Sequence, residues 1–414
     1  MMRSLFAGVT GLRNHQTRMD VIGNNIANVN TTGFKASRVT FQDVLSQTLQ
    51  GASSGLGERG GTNPMQVGLG MGLASIDTIF TDGSFQPTGK QTDLSIQGSG
   101  FFILSDGQNK VYTRAGAFDF DNKGNLLVPG TGYKVMGWVQ DKTTGLVDTT
   151  KPIESIQIPV GSTMAAKVSD EMTFTKNLSP ESPLNTKVPV TVPLYDGKGT
   201  LHKLSGTLEK TAANQWTFTP GTADTGATAT GTTIITFDSA TGKFVSTTPA
   251  SSTDVTLDID GSGTGTDTIV VKTDFSALTQ SSGETTVQGD ANGYPTGTLE
   301  GPSIDTEGVI TGKFSNGQSQ VLGRICLATF NNPSGLNKVG DNLYAQSNNS
   351  GKAEEGTPNS GGRGKLSPGS LEMSNVDLAQ EFSNMIITQR GFQANSKIIS
   401  VSDEMLQDLA NLKR

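Results

Sequence analysis

The two ends of this chain constrain its fold more than anything between them, because both carry helical patterns longer than one compact core can cover. The last stretch, Ser374 to Arg414, follows Pro368 and Gly369 and contains no proline. Ser374 followed by Asp377 resembles a capping box, which places the helix start there. Leu378, Met385, Phe392, Ile399 and Leu406 then fall seven apart, a spacing that a helix presents as one stripe. The companion positions are mixed: Phe382 is apolar, whereas Gln389, Ser396 and Asp403 are polar. Such a helix is about 55 Å long, so it is expected to need a partner helix.

Residues 4–30 offer that partner. Leu5, Leu12, Met19 and Ile26 are seven apart, with Gly8, His15, Ile22 and Val29 at the companion positions. Gly8, Gly11 and Gly23 each cost about 1 kcal/mol relative to alanine, so this segment is expected to be largely unfolded alone in water. Small residues also let helices approach closely. The pattern leaves two outcomes open: an ordinary helix pair capping a globular domain, or helices packed against many neighbours.

The length of 414 residues allows two or three domains. With 52 glycines, 6% aromatic and 17% charged residues, the middle of the chain is expected to be short strands and turns. A net charge of −7 without a basic block argues against nucleic acid and acidic lipid as partners. Cys326 is the single cysteine, which excludes an intrachain disulfide and a cysteine zinc cluster. No segment has the roughly 18 apolar residues of a membrane span. The run Leu5 to Val9 is interrupted by glycine and lacks a small-residue cleavage site, so export, if it occurs, is expected without a cleavable signal.

Between the ends the pattern alternates. Asn24 to Lys35 reads as a helix stop, with Gly33 supplying the left-handed residue. Phe41 to Leu49 is expected as a short polar helix or extended arm, and Gly51 to Gly72 as a linker. Strands are predicted at Ser75–Phe80, Leu94–Ile96, Phe101–Leu104, Val111–Thr113 and Tyr133–Met136, with hairpin turns at Asp106-Gly107, Asn122–Asn125 and Gly130–Gly132. Residues 146–288 shift to threonine, serine and lysine with alternating runs around Leu204, Trp216, Ile235, Val255 and Ile269, which suits a small sandwich or barrel. Pro189 and Pro193 demote Val188–Tyr195 to an edge strand. Val309–Phe314 turns at Asn316-Gly317 into Val321–Phe330, and Asn348 to Gly369 reads as a second linker.

The expected fold is therefore mainly β with α-helical ends, in nested domains. Residues 1–30 with 371–414 form a terminal helical domain that pairs as a coiled coil, and 31–71 with 358–370 are linkers. Residues 72–145 with 289–357 form a first β domain, into which 146–288 is inserted as an outer β domain. Nesting brings both helices to one end.

No constellation supports catalysis, and no metal or cofactor is expected. His15 and His202 lie in no metal-binding spacing. Asp258-Ile259-Asp260-Gly261 suggests a calcium loop, but Gly261 stands at the fourth position and Ile269 where a closing glutamate belongs. Gly361–Lys365 fails as a phosphate loop, since Asn359 and Leu366 replace the required glycine and hydroxyl. There is no nucleophile elbow. Asp119 and Asp121 flank a turn, and Cys326 lies in the apolar run Gly323–Ala328, where a buried small hydrophobe is expected.

The stretch SLFAGVTGLRNHQTRMDVIGNNIANVNTTGFKASRVTFQDVL resembles the N-terminal signature of the axial proteins of the bacterial flagellum, the rod and hook family. SNVDLAQEFSNMIITQRGFQANSKIISVSDEMLQDLANL resembles the C-terminal signature of the same family. GSGFFILSDG and YTRAGAFDFDNKGNLLVPGTGYKVMGW are similar to its first β domain, and Tyr195–His202 followed by Trp216 to the outer domain of its hook members. The resemblance implies a structural subunit that polymerises into a curved hollow tube joining rod to filament. It implies partners in a cap protein, a distal rod protein, a junction protein toward the filament and the flagellar type III export apparatus, and a place outside the cell. A straight distal-rod subunit is the near alternative, separated by length and by residues 146–288, and a secreted β-rich adhesin or glycan hydrolase the distant one. Within this frame Leu5, Leu12, Met19, Ile22 and Ile26 with Leu378, Met385, Phe392, Ile399 and Leu406 are the expected polymerisation residues. Asn14, Gln16, Gln389 and Asn395 are the expected channel wall.

Overall fold

The computed structural model describes residues 2–52, 54, 61–141, 144–158, 161–222, 227–249, 254–259 and 268–411. The chain forms two compact units: Met1–Val160 with Pro302–Thr311 and Val321–Arg414, and Gly161–Gly301 with Gly312–Gln320. A helix stands at each end and strands fill the middle, the mainly β architecture with helical ends that the pattern predicts. Asp260 and Gly261 of the calcium-like motif lie outside the described residues.

In the first unit, helix α1 (Met2–Ala27) and helix α2 (Leu378–Asn411) pack along each other. The start of α2 differs from the expected capping box. Asp377 is the cap, its Oδ1 accepting the amides of Ala379 at 2.9 Å and Gln380 at 3.2 Å. The Ser374 hydroxyl instead accepts the amide of Val376, before the helix begins.

Phe41–Leu49 is extended, the second of its two expected forms, but it is paired. Ser37–Asp43 pairs antiparallel with Met71–Thr78, and Ser46–Gln50 with Met65–Gly68, so part of the expected first linker is a two-stranded ribbon. Glycine- and serine-rich composition hid a pairing whose donors and acceptors are all backbone. The second expected linker likewise contains the strands Glu354–Gly356 and Lys365–Pro368.

The β body of this unit is centred on Phe101–Ser105, a strand buried on both faces. It pairs with Lys110–Thr113 across the Asp106-Gly107 turn and with Lys134–Val139 on its other side. Phe101 and Ile103 point into an aromatic cluster with Tyr112, Trp138, Phe330 and Tyr344, in which Tyr112 meets Phe330 edge-on at 4.8 Å. Phe102 packs edge-on against Phe118 at 5.0 Å on the opposite face. Cys326 is buried in the aromatic cluster and its thiol is pushed up to about 12 by burial, so it behaves as a small hydrophobe. Val147 and Ile153 pack against the same cluster, and Glu154–Ser155 pairs with Met136 and Gly137. The boundary expected at residue 146 therefore falls at 160, because the polar composition there conceals four inward apolar side chains, Ile156 and Ile158 being the other two.

The second unit is a sandwich. One sheet orders Lys187–Tyr195, Leu201–Ala212, Gln215–Thr219, Thr233–Phe237 and Phe244–Thr248. The other contains Thr228–Thr230, Asp254–Asp258, Thr268–Asp274, Glu171–Asn177, Leu278–Thr279 and Gln288–Ala291. Alternate residues Leu204, Leu208, Trp216, Phe218, Ile235, Val255, Leu257, Ile269 and Val271 meet in one core around Phe174, whose ring stacks on Phe275 at 5.1 Å. Lys187–Tyr195 is the edge strand that its prolines predict. Asp196 donates to Thr200 within the sheet while Ser169 donates to the Tyr195 carbonyl from outside, so residues 189, 191, 193 and 195 face outward along the backbone. Pro189 and Pro193 carry no donor there, and the Tyr195 amide is held by the Ser169 hydroxyl at 2.9 Å.

Three turns share one construction. In Asp121-x-x-Gly124, Asp196-x-x-Gly199 and Asp305-x-x-Gly308, the carboxylate accepts the amides two and four residues on, at 2.7–2.9 Å. Each glycine has a φ of 75–82°, open to glycine without strain. The Asn125 side-chain amide holds the Asp121 carboxyl below its ordinary range. For Asp196, burial pushes upward but the Thr200 and Lys198 amides outweigh it, and the net shift is also downward. A lowered folded-state pKa adds stability that is complete above the unfolded value, about 4, and disappears as pH falls through the folded one. The contribution of these turns to thermal stability is thus expected to be constant from about pH 7 to 5 and to weaken below about pH 4. Asp121→Asn should reduce that acid slope for the first unit; an unchanged slope in calorimetry would remove this turn from the acid response.

Candidate assembly interface

Helices α1 and α2 run antiparallel, and the residues that join them are small or polar. A Cβ at Gly8 would stand 3.4 Å from Ile399, and one at Gly11 2.7 Å from the Asn395 side chain. Opposite, a Cβ at Gly391 would stand 2.7 Å from the His15 ring, and further along Arg18 reaches Asn384 at 3.5 Å. Glycine on each helix therefore receives a polar side chain from the other, the close approach that small residues permit. Gly23 meets nothing within 4 Å, so close packing accounts for only two of the three α1 glycines.

This pairing leaves much of the apolar surface of α2 uncovered. Ile386 and Ile387 are 58% and 59% exposed, and Leu378, Phe382, Phe392, Ile398, Met405 and Leu406 are also exposed. Of the predicted stripe, Met385 and Ile399 are half-buried, Ile399 against Gly8 of α1, while Leu378, Phe392 and Leu406 are not covered. On α1, Ile22 is buried and Leu5, Leu12, Met19 and Ile26 are half-buried. The heptad count thus brings Ile399 to α1 and leaves Leu378, Phe392 and Leu406 exposed. Two expected channel residues lie inside the unit: Asn14 donates to the Met71 carbonyl at 2.7 Å, and Asn395 covers Gly11. Gln16 and Gln389 are exposed.

Where the helices meet the β body, a buried ion cluster holds both chain segments. Glu372, six residues before α2 begins, is fully buried with Lys35, which follows α1. Lys35 Nζ lies 2.5 Å from Glu372 Oε1 and donates to the Thr81 carbonyl at 2.6 Å. Arg114 of the β body reaches Glu372 Oε2 at 3.3 Å, Asp82 at 3.6 Å and the carbonyls of Ile96 and Gly98. The Gly83 amide donates to Glu372 Oε1 at 3.1 Å. Burial pulls the Lys35 pKa below its ordinary value and Glu372 pulls it back. Two asparagines brace the same junction. Asn25 exchanges both side-chain bonds with the Ser37 backbone, and Asn375 accepts from Ala36 while donating to Ile79 and Thr81.

The ribbon adds a second uncovered apolar surface. Its inner half lies on α1, with Phe41 edge-on to His15 at 6.1 Å. Beyond it Val44, Leu45, Leu49, Met65 and Val67 are exposed on or between strands that no third strand among the described residues joins. A two-stranded ribbon of this kind is marginal without a neighbour.

Family models match four stretches of the chain. "Flagella basal body rod protein" matches residues 5–35, "Flagellar hook protein FlgE/F/G D1 domain" residues 95–172, "Flagellar basal body protein FlaE D2 domain" residues 162–294, and "Flagellar basal body rod FlgEFG protein C-terminal" residues 367–412. The flagellar hook protein FlgE of Borreliella burgdorferi is 44% identical over the full length of both chains, and that of Treponema pallidum 41%. The chain belongs to the flagellar hook protein family. It is thus a structural subunit of the flagellar hook, in a family not known as enzymes. The crystal structure of Helicobacter pylori flagellar hook protein FlgE2 shares the fold, with a TM-score of 0.54 and 18% identity over 70% of this chain and all of that one. The flagellar basal-body rod protein FlgG of Bacillus subtilis is 33% identical across the full length of both, so length does not separate hook from rod as the sequence pattern suggested.

The residues that sequence reasoning missed in this hook-family chain are Lys35, Arg114 and Glu372. Their only sequence signal is a charge inside otherwise apolar or glycine-rich runs, and nothing in spacing joins them. Removing the shared carboxylate leaves two buried cations, an arrangement that costs about 3–5 kcal/mol. Glu372→Ala is therefore expected to lower the stability of the first unit by that amount and to open residues 28–36 to protease. Denaturant unfolding resolved by unit would test it; a change confined to the second unit would contradict the cluster's role.

Proposed function

We propose that this hook subunit assembles head-to-tail into a curved hollow tube through the apolar surface that its own helix pair leaves uncovered. The carrying observation is the exposed row on α2, from Leu378 and Phe382 through Ile386, Ile387 and Phe392 to Leu406. A surface that docks on a different surface of the next copy extends into an open helix instead of closing a ring. Leu5, Leu12, Met19, Ile22 and Ile26 with Leu378, Met385, Phe392, Ile399 and Leu406 form the helical layer of that tube in this reading. Met385, Ile399 and Ile22 support the pair, and the exposed members meet neighbouring copies. The divided architecture supports a flexible joint, in which the helical layer carries torque while polar outer surfaces slide. A cap protein, a distal rod protein, a filament-junction protein and the flagellar type III export apparatus are the partners this reading requires, with the assembled tube outside the cell. No helix among the described residues is long and apolar enough to cross a membrane.

Phe382→Glu with Ile386→Glu tests the interface, since both side chains lie on the exposed side of α2. The double variant should keep the circular dichroism and melting of the parent while forming no tubes by negative-stain microscopy and sedimentation. Tubes of normal yield would show that this surface is not the assembly surface. A chain limited to residues 28–377 should remain a folded monomer under the same conditions.

A further inference from the structure

His15 is placed differently from every other polar group in the helix pair. Its ring lies over Gly391 of α2, close enough that a Cβ there would stand 2.7 Å from both Cε1 and Nε2 and 3.3 Å from Nδ1. Phe41 of the ribbon closes the other side edge-on. Nδ1 is buried and has no hydrogen-bond partner. A neutral imidazole tolerates this, because one nitrogen carries no proton. A protonated one carries N–H on both, and the buried Nδ1–H would stand without an acceptor while a cation enters the helix contact.

The surrounding charges do not offset that cation. Arg18 of α1 acts on the ring; the other charged residues close in sequence to its contacts are Arg13 on α1, Arg390 beside Gly391 on α2, and Asp43 of the ribbon, an exposed residue two beyond Phe41. Burial and then Arg18 both hold the imidazole pKa below its ordinary value. The reciprocal contact, Asn395 over Gly11, has the same shape and cannot titrate. The pair is thus joined by two equivalent insertions, one sensitive to protons and one not.

We propose that His15 over Gly391 is an acid-releasable key of the α1–α2 pair, so that mild acid loosens the terminal helices while both β units stay folded. The sign follows from the lowered folded-state value: the contribution is complete above the ordinary imidazole pKa, about 6.5, and is lost as pH falls below it. This window lies above that of the turn aspartates, which respond below about pH 4.

The inference relies on the assembly reading only for its readout, amide exchange of residues 2–27 in tubes formed by the full chain. Between about pH 7.5 and 5.5, corrected for intrinsic exchange, protection should drop by roughly threefold or more in the parent. His15→Gln should show no such step, and Asn395→Ala should lower protection equally at both pH values. A parent whose protection is flat across this range overturns the proposal, as does an equal step in His15→Gln. If His15→Gln does not assemble, the parent's own step decides. Absence of tubes at pH 7.5 would instead overturn the assembly reading.

Discussion

The carboxylate of Glu372 is the interaction on which the arrangement of the first unit depends. It is out of water, shared between Lys35 and Arg114, and backed by the Gly83 amide. These groups come from a segment leaving α1, a segment entering α2 and the β body between them. An ion cluster this buried is a poor source of net stability compared with apolar packing, but each member is costly to leave alone. Its effect is therefore one of placement: the two helices can leave the body only where both charges find the carboxylate. Asn25 and Asn375 fix the intervening backbone by satisfying donors and acceptors that the helix ends release.

From that junction outward, the helix pair divides its surface by chemistry. Glycine, asparagine and histidine join α1 to its own α2, and the large aliphatic and aromatic side chains of α2 are left on the outside. Had the apolar stripe been buried within the chain, the pair would be a finished coiled coil with nothing to offer a neighbour. Joining through small residues gives a pair that is close but not strongly stabilised by area, which suits helices whose order is completed by other copies.

Much of this was legible in the sequence, and the illegible parts have common causes. Alternation located Gln215–Thr219 and Thr233–Phe237, because one residue in two had to be apolar, and a short unbroken apolar run located Phe101–Ser105, which is buried on both faces. Asp106-Gly107 and Asn316-Gly317 marked hairpins, since few residues other than these accept the required backbone. Of the ribbon between residues 37 and 78, the strand beginning the β pattern at Ser75 was legible, whereas the pairing of Ser46–Gln50 with Met65–Gly68 was missed because its side chains are exposed. Heptad spacing located the helices but could not say which apolar positions their own partner would cover, since that depends on Gly11 and Gly391 admitting Asn395 and His15. Asp-x-x-Gly occurs at other places in the sequence as well, one of them inside α1 at Asp20, and only the shared bonds to residues two and four ahead set Asp121, Asp196 and Asp305 apart as one device.

Pro189 and Pro193 have a consequence for crowded surroundings. A sheet edge recruits a passing strand by offering donors and acceptors in steady alternation, and this edge retains the acceptors while dropping every second donor. A neighbouring strand that met this edge would find no continuous template along which to zip. Such an edge can be touched without being extended.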